Sequence, residues 1–319
     1  MQHYSIVHDS RKGARSSNED RVAYSENQNG AFLVVADGLG GHAKGDMAAQ
    51  ITVDCMIESF DQQGQAKIED PAAFIVLSMT YAHSTINRIS RSQGLDDDMP
   101  RSTCVACLVQ GGYAYWGHVG DSRLYLFGDS ELLTRTIDHT TTDHLHYDGV
   151  VDEHVQRFGH SQLLRCIGGE KRPVVSLGAE THLGMGDTIL MCTDGVWRAF
   201  KEPQLVKYTQ NEPLDDGVDE MLSHAQRFFR DDCDNLTALM FRWEDKPTQV
   251  KPLMNLSTPE LDQESLWLAA KYHKEKPGPA ARKKTYCAED IDSVIAEIES
   301  FIKELDSVYA WTHDKTKID

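Results

Sequence analysis

Three aspartates in this chain stand directly against apolar runs: Asp37 closes FLVVAD, Asp194 closes ILMCTD, and Asp234 opens DNLTALMF. A carboxylate at the end of a buried strand is held on a rigid support while its head emerges at the rim, which is the placement a metal site requires. Gly38 and Gly195 follow the first two, so the chain can turn sharply there and offer a carbonyl as another hard oxygen ligand. A single Asp-Gly pair is ordinarily a tight turn; repetition at strand ends is what argues for a site. Asp121 in VGDSR, and Glu19 with Asp20 beside Arg15 in RSSNED, add further acidic rim positions. So many carboxylates repel one another unless cations bridge them. All-oxygen ligation favours Mg²⁺ or Mn²⁺ over zinc or copper.

The elements that position these residues belong to an ordinary globular chain. It has 319 residues, 40% hydrophobic and 26% charged, enough for one large domain or two modest ones. Fifty acidic residues against 32 basic ones leave a formal charge of −18, which excludes nonspecific binding to nucleic acid or an anionic membrane and disfavours a metal nuclease. No run approaches the ~20 apolar residues of a membrane span; the best candidate, 72–82, carries Ser78 and Thr80. The N-terminal MQHYSIVHDSRKG lacks the pattern of a secretory signal, so a cytoplasmic location is expected. Seven scattered cysteines argue for a reducing compartment. Cys104 and Cys107 have C-x-x-C spacing, but in the strand-like STCVACLV they point to opposite faces and read as core thiols.

Strand-like runs occur at YSIVHDS, RVAYSE, GAFLVVAD, STCVACLV, YAYWGHVG, SRLYLFG, THLGMG, TILMCTD and NLTALMFRW. Helical periodicity runs over 46–61 and again over 71–91, where Pro71 suits a first turn. The two helices are consecutive, and the strands of 101–135 then follow in hairpin succession. The fold class is therefore α+β with mainly antiparallel sheets, not doubly wound α/β; two stacked sheets covered by helices fit the count. Residues 1–243 read as one domain and 244–257, with its prolines, as a linker. Residues 258–319 read as a helical C-terminal extension of two helices, the second with an apolar stripe through Ile291, Ile295, Ile298, Phe301, Ile302 and Leu305 opposite an acidic face. Such a hairpin is too small to hold a core alone, so its stripe must pack on the main domain, on a second copy or on a partner.

RSSNED (15–20), VVADGLGGHAKG (34–45), GDSRLYL (120–126), TDGVW (193–197) and DNLTAL (234–239) occur in the order and spacing of the protein phosphatase 2C family in its bacterial form, and over residues 1–243 the chain resembles that family. The resemblance implies a four-layer α-β-β-α sandwich with two Mg²⁺ or Mn²⁺ ions at one edge of the sheets. Carried over by motif, Asp37 is the bridging carboxylate, Gly38 a carbonyl ligand, and Asp194 and Asp234 ligands of one ion. Glu19 and Asp20 resemble ligands of the other ion or holders of its waters, and Asp121 resembles part of a weaker third-ion site. The implied activity is hydrolysis of phosphoserine or phosphothreonine in a protein substrate, opposing a cognate kinase. Water activated by the cations attacks in line without a phosphoenzyme, and Arg15 offers a planar fork to the phosphate.

Some members of the family carry His directly after the Asp-Gly. Here Leu39 stands there and His42 follows three positions later, leaving His42 or a cation-bound water as proton donor to the leaving alkoxide. Residues 138–162 hold five histidines, at 139, 144, 146, 154 and 160, whose irregular spacing reads as solvated positions on the flap the family places there. Two other readings stay open: a catalytically weak regulatory or binding protein that kept the fold, and an interaction module acting through its C-terminal helices.

Overall fold

The computed structural model describes residues 4–39, 44–95, 98–141 and 162–244. The run Gly30–Asp37 forms strand β3, and nearly all of it is buried because both of its faces are covered. Phe32, Val34 and Ala36 pack toward two helices, whereas Ala31, Leu33 and Val35 interdigitate with a second sheet. A period of two with apolar residues on both faces thus reads as one continuous apolar run.

The helices are α1 (Gly45–Asp61) and α2 (Pro71–Ser92). Asp70 caps α2 by accepting from the Ala73 amide at 2.9 Å, and Pro71 occupies the first turn. The sheet beneath them contains β2 (Asp20–Asn27), β5 (Cys104–Gln110), β6 (Tyr113–Val119), β10 (Ser176–Leu177) and β11 (Thr181–His182). Its order is β10-β6-β5-β3-β2, with β11 also on β6. The second sheet holds β1 (Tyr4–Arg11), β7 (Arg123–Gly128), β8 (Glu131–Arg135), β12 (Thr188–Cys192) and β13 (Leu236–Trp243) in the order β1-β13-β12-β7-β8. Every pairing in both sheets is antiparallel. A short pair, β4 (Arg101–Ser102) with β9 (Ile167–Gly168), lies apart from them.

The fourth layer is α3 (Leu214–Phe229), which buries Leu214, Val218, Met221, Leu222 and Ala225 against Tyr125, Leu190, Cys192, Ala238 and Met240 of the second sheet. The architecture is the expected α-β-β-α sandwich. Cys104 faces the helices and Cys107 the space between the sheets, so the C-x-x-C pair is split across two cores. Two readings are corrected. THLGMG supplies only the two-residue β11, since Gly184 and Gly186 end the run in a turn closed by the Asp187 carboxylate accepting from the Gly184 amide at 2.7 Å. Nine strands become thirteen among the described residues, because short bridging strands and β8 carry no apolar alternation. No helix among the described residues is long and apolar enough to cross a membrane. The reading of 258–319 as two helices lies outside the described residues.

Candidate metal centre

Antiparallel order brings the acidic strand ends to one edge. β2 begins where β3 ends, and their register sets Asp20 opposite Asp37. On the second sheet β12 ends beside the start of β13, which places Asp194 and Asp234 at the same rim, and Asp121 occupies the β6–β7 turn between the sheets.

Each carboxylate has its own support. The backbone of Asp37 is clamped on both sides: its amide donates to Thr103 Oγ1 at 3.0 Å, and its carbonyl accepts from the Thr103 amide at 2.8 Å. Gly38 is fixed by steric closeness, since a Cβ there would stand 2.3 Å from the Gly45 carbonyl oxygen at the start of α1. Asp20 is buried behind the rim and accepts from Thr193 Oγ1 at 2.8 Å, a bond that ties the two sheets together. Asp194 opens a helical turn, Asp194–Trp197, where Arg198 reaches its Oδ2 at 3.1 Å. Arg15 Nη2 contacts Asp234 Oδ2 at 2.7 Å while its side chain remains 60% exposed.

These residues line one cleft of about 300 Å³: Arg15, Glu19, Asp37, Gly38, Asp121, Asp194 and Asp234 all reach it. Asp20 does not; it stands behind Asp37. His42 lies outside the described residues. The flap reading of His139 is corrected, because it is 8% exposed and hydrogen-bonded on both ring nitrogens; the other four flap histidines lie outside the described residues.

The electrostatics of the cleft fit a cation site. Burial, followed by repulsion from Asp20, Asp194, Asp121 and Asp234, pushes Asp37 well above the usual carboxylate range. Burial lifts Asp20 to about 7, against the hydroxyls of Thr193 and Thr237 and with added repulsion from Asp194 and Asp234. Asp121 also rises to about 7, through burial and then Asp194. Burial raises Asp194 as well, in spite of Arg198. Glu19 Oε2 is buried without a hydrogen-bond partner. Anionic oxygens packed this way are stabilised by a hard divalent cation more than by anything else at hand. Among the described residues no three carboxylate, imidazole or thiol side chains are gathered tightly enough to enclose an ion by themselves.

Sequence reasoning missed Asn235. Its amide donates to the carbonyls of Lys12 and Ser17 at 2.8 and 2.9 Å, and its Oδ1 accepts from the Glu19 amide at 2.8 Å. One side chain therefore positions the whole Arg15–Glu19 loop over the cleft. Its signal was its place directly after Asp234. Trp197 was also missed: its Nε1 donates to the Asp121 carbonyl at 2.9 Å, and Arg123 stacks on its ring at 3.5 Å.

Known proteins share this fold. The profile described as Protein phosphatase 2C matches residues 9–230. The serine/threonine phosphatase stp of Listeria monocytogenes serotype 4b is 26% identical over 232 residues, 71% of this chain and 90% of its own. Among solved structures, the catalytic domain of the serine/threonine protein phosphatase PstP in complex with two manganese ions aligns with a TM-score of 0.63 at 25% identity, covering 76% of this chain and 99% of that one. The serine/threonine phosphatase of S. agalactiae shares the fold, with a TM-score of 0.67 at 23% identity over 76% of this chain and all of the other, 100%. The chain belongs to the protein phosphatase 2C family and is a phosphoprotein phosphatase.

Proposed function

We propose that the cleft hydrolyses phosphoserine and phosphothreonine in proteins by in-line attack of water, with two Mg²⁺ or Mn²⁺ ions as cofactors and no phosphoenzyme. The observation that carries this reading is the convergence of Arg15, Glu19, Asp37, Asp121, Asp194 and Asp234 on one cleft from both sheets. Asp37 and the Gly38 carbonyl would hold the ions jointly, with Asp194 and Asp234 on one side and Glu19 on the other. Asp20 stands behind Asp37 and suits holding water, and Asp121 suits a weaker third ion. When bound, the ions supply charge neutralisation at the phosphoryl oxygens and acidify water to near neutral pH.

The chain's own residues orient the reaction. Arg15 reaches the cleft from an exposed loop, anchored on one edge by Asp234, which leaves further donors of the guanidinium for phosphate oxygens. The thiol next to Asp234 is a poor nucleophile: Cys233 is buried, and burial raises its pKa. The proton for the leaving alkoxide would come from a cation-bound water, with His42 the alternative donor. A cognate kinase, a cytoplasmic location, the domain limits 1–243, 244–257 and 258–319, and recruitment or self-association through the last of these complete the proposal.

The test is Mn²⁺-dependent release of phosphate from a phosphothreonine peptide by the full chain. Turnover abolished by EDTA, and cut on the order of 10³-fold by Asp37→Asn, is the expected result. Absence of turnover with every divalent ion tried would favour the non-enzymatic reading.

A further inference from the structure

A second and larger cavity, about 650 Å³, opens at the far edge of the sandwich, between β8 of one sheet and β6 with β10 of the other. It shares a wall with the carboxylate cleft. Residues 139–141 and 162–164 pair as a two-stranded ribbon, with a bridge between Thr140 and Leu163 and a bond from the Leu164 amide to the His139 carbonyl at 2.8 Å. Leu163 lines the cleft, whereas Leu164 and Arg165 line the cavity.

The cavity combines an apolar rim with a cation, Arg165, that has no carboxylate partner among the described residues. Ile137, Leu164 and Leu177 are 48%, 48% and 37% exposed around it. Of its charged groups, Asp138 is taken by a two-pronged contact with Arg123 at 2.8 and 2.7 Å, and Arg135 pairs with Glu202. Arg165 Nη1 comes within 3.3 Å of His139 Nε2 and 3.5 Å of Ser176 Oγ. His139 cannot serve it: its Nδ1 accepts from the Gly120 amide at 3.1 Å, so in the neutral ring Nε2 bears the hydrogen and donates to Ser176 Oγ at 2.8 Å. Burial, with His118 and Arg165 beside it, holds His139 neutral by lowering its pKa to about 3. Among the described residues the Arg165 fork therefore meets only the Ser176 hydroxyl as an acceptor, which leaves guanidinium donors to the cavity in a chain whose net charge is −18.

We infer that this cavity is a substrate subsite that binds the polypeptide flanking the phosphorylated residue, seating an apolar side chain on Ile137, Leu164 and Leu177 and an Asp or Glu on Arg165. The inference rests on the phosphatase reading and names the class of substrate it prefers. The dividing ribbon is one layer thick, ~10 Å, so at ~3.3 Å per residue the acidic side chain lies about three residues from the phosphorylated one. Through His139, which accepts from the Gly120 amide, the same wall reaches the neighbour of Asp121.

The experiment compares kcat/KM of the full chain on three phosphothreonine peptides that differ only in one flanking position, occupied by Glu, Ala or Lys and scanned from two to four residues away. The wild type is expected to prefer Glu over Lys by ~10-fold at one of these positions, the worth of one charge-assisted contact. Arg165→Gln should bring that ratio close to one, and Arg165→Glu should invert it, with melting curves confirming folded variants. An equal rate on Glu and Lys peptides in the wild type, or a ratio unchanged in Arg165→Gln, would overturn the subsite. Absence of flank preference together with Arg165-dependent modulation of a small chromogenic phosphoester by sulfate would overturn it in favour of a free-anion pocket. No turnover of any peptide would instead refute the phosphatase reading.

Discussion

The two halves of the carboxylate cleft are built differently. On the helix-covered α1/α2 side, Asp20 and Asp37 sit at paired strand ends with hydroxyls and amides around them and no ion-pair partner among the described residues. On the α3 side, Asp194 and Asp234 each have an arginine, Arg198 and Arg15. One half therefore depends on an added cation for its charge balance, while the other carries a partial substitute in its own side chains. Metal binding should relieve the first half most, and substrate phosphate should engage the second, where Arg15 is exposed.

The sharpest way to break this contrast is Asp37→Asn. Activity should fall by on the order of 10³-fold, ~4 kcal/mol in the barrier, while the metal-free protein melts higher than wild type because a repelled, buried carboxylate is gone. Lower thermal stability of the variant in EDTA would put the strain elsewhere. Arg15→Gln should cost ~10- to 100-fold, seen mainly in KM for phosphopeptide, as expected for loss of a charge-assisted fork. Arg198→Ala, on a residue that pairs with Asp194 and does not reach the cleft, should cost less than tenfold, about 1.4 kcal/mol. Equal effects of the two arginines would erase the distinction between them.

Asn235→Ala removes three hydrogen bonds, two to the Arg15–Glu19 loop and one to Lys12 before it, and should destabilise the fold by ~2 kcal/mol, measured in urea, with a parallel loss of Arg15-dependent binding. The smallest effect is on pH dependence. Asp20 and Asp121 are lifted to about 7 in the folded protein, so between the unfolded carboxylate value and 7 the native state holds protons that the unfolded chain has released. Their contribution to metal-free stability therefore falls as pH rises through that window and levels off above it. Melting in EDTA should show this decline, and saturating Mn²⁺ should flatten it. A slope identical with and without metal would detach the shifts from the cation site.

Much of this was legible in the sequence. Asp37, Asp194 and Asp234 betrayed themselves because strand ends adjacent to apolar runs have few places to go in a sandwich. The helices α1 and α2 announced their ends through Asp70, Pro71 and apolar spacing. Helix α3 was missed even though Leu214, Val218, Met221, Leu222 and Ala225 keep helical spacing, because Gly217 and a strongly acidic face dilute the signal. β8 was missed because in ELLTR the inward Leu132 stands beside the exposed Leu133, so no apolar alternation can be read. Asp20 looked equivalent to Glu19 in RSSNED, yet one-residue alternation in β2 turns it into the core behind Asp37. Asn235 offered only its place beside Asp234 as a signal, and the second cavity offered none, since each joins segments more than a hundred or several tens of residues apart.

The central claim is that carboxylates from both sheets jointly hold divalent ions. Calorimetric titration of Mn²⁺ into the metal-free full chain tests it most directly, run alongside Asp37→Asn and Asp194→Asn. Two tight equivalents in the wild type, with loss of at least one in each variant, is the expected outcome. Binding of the same number of ions with unchanged affinity in both variants would contradict it.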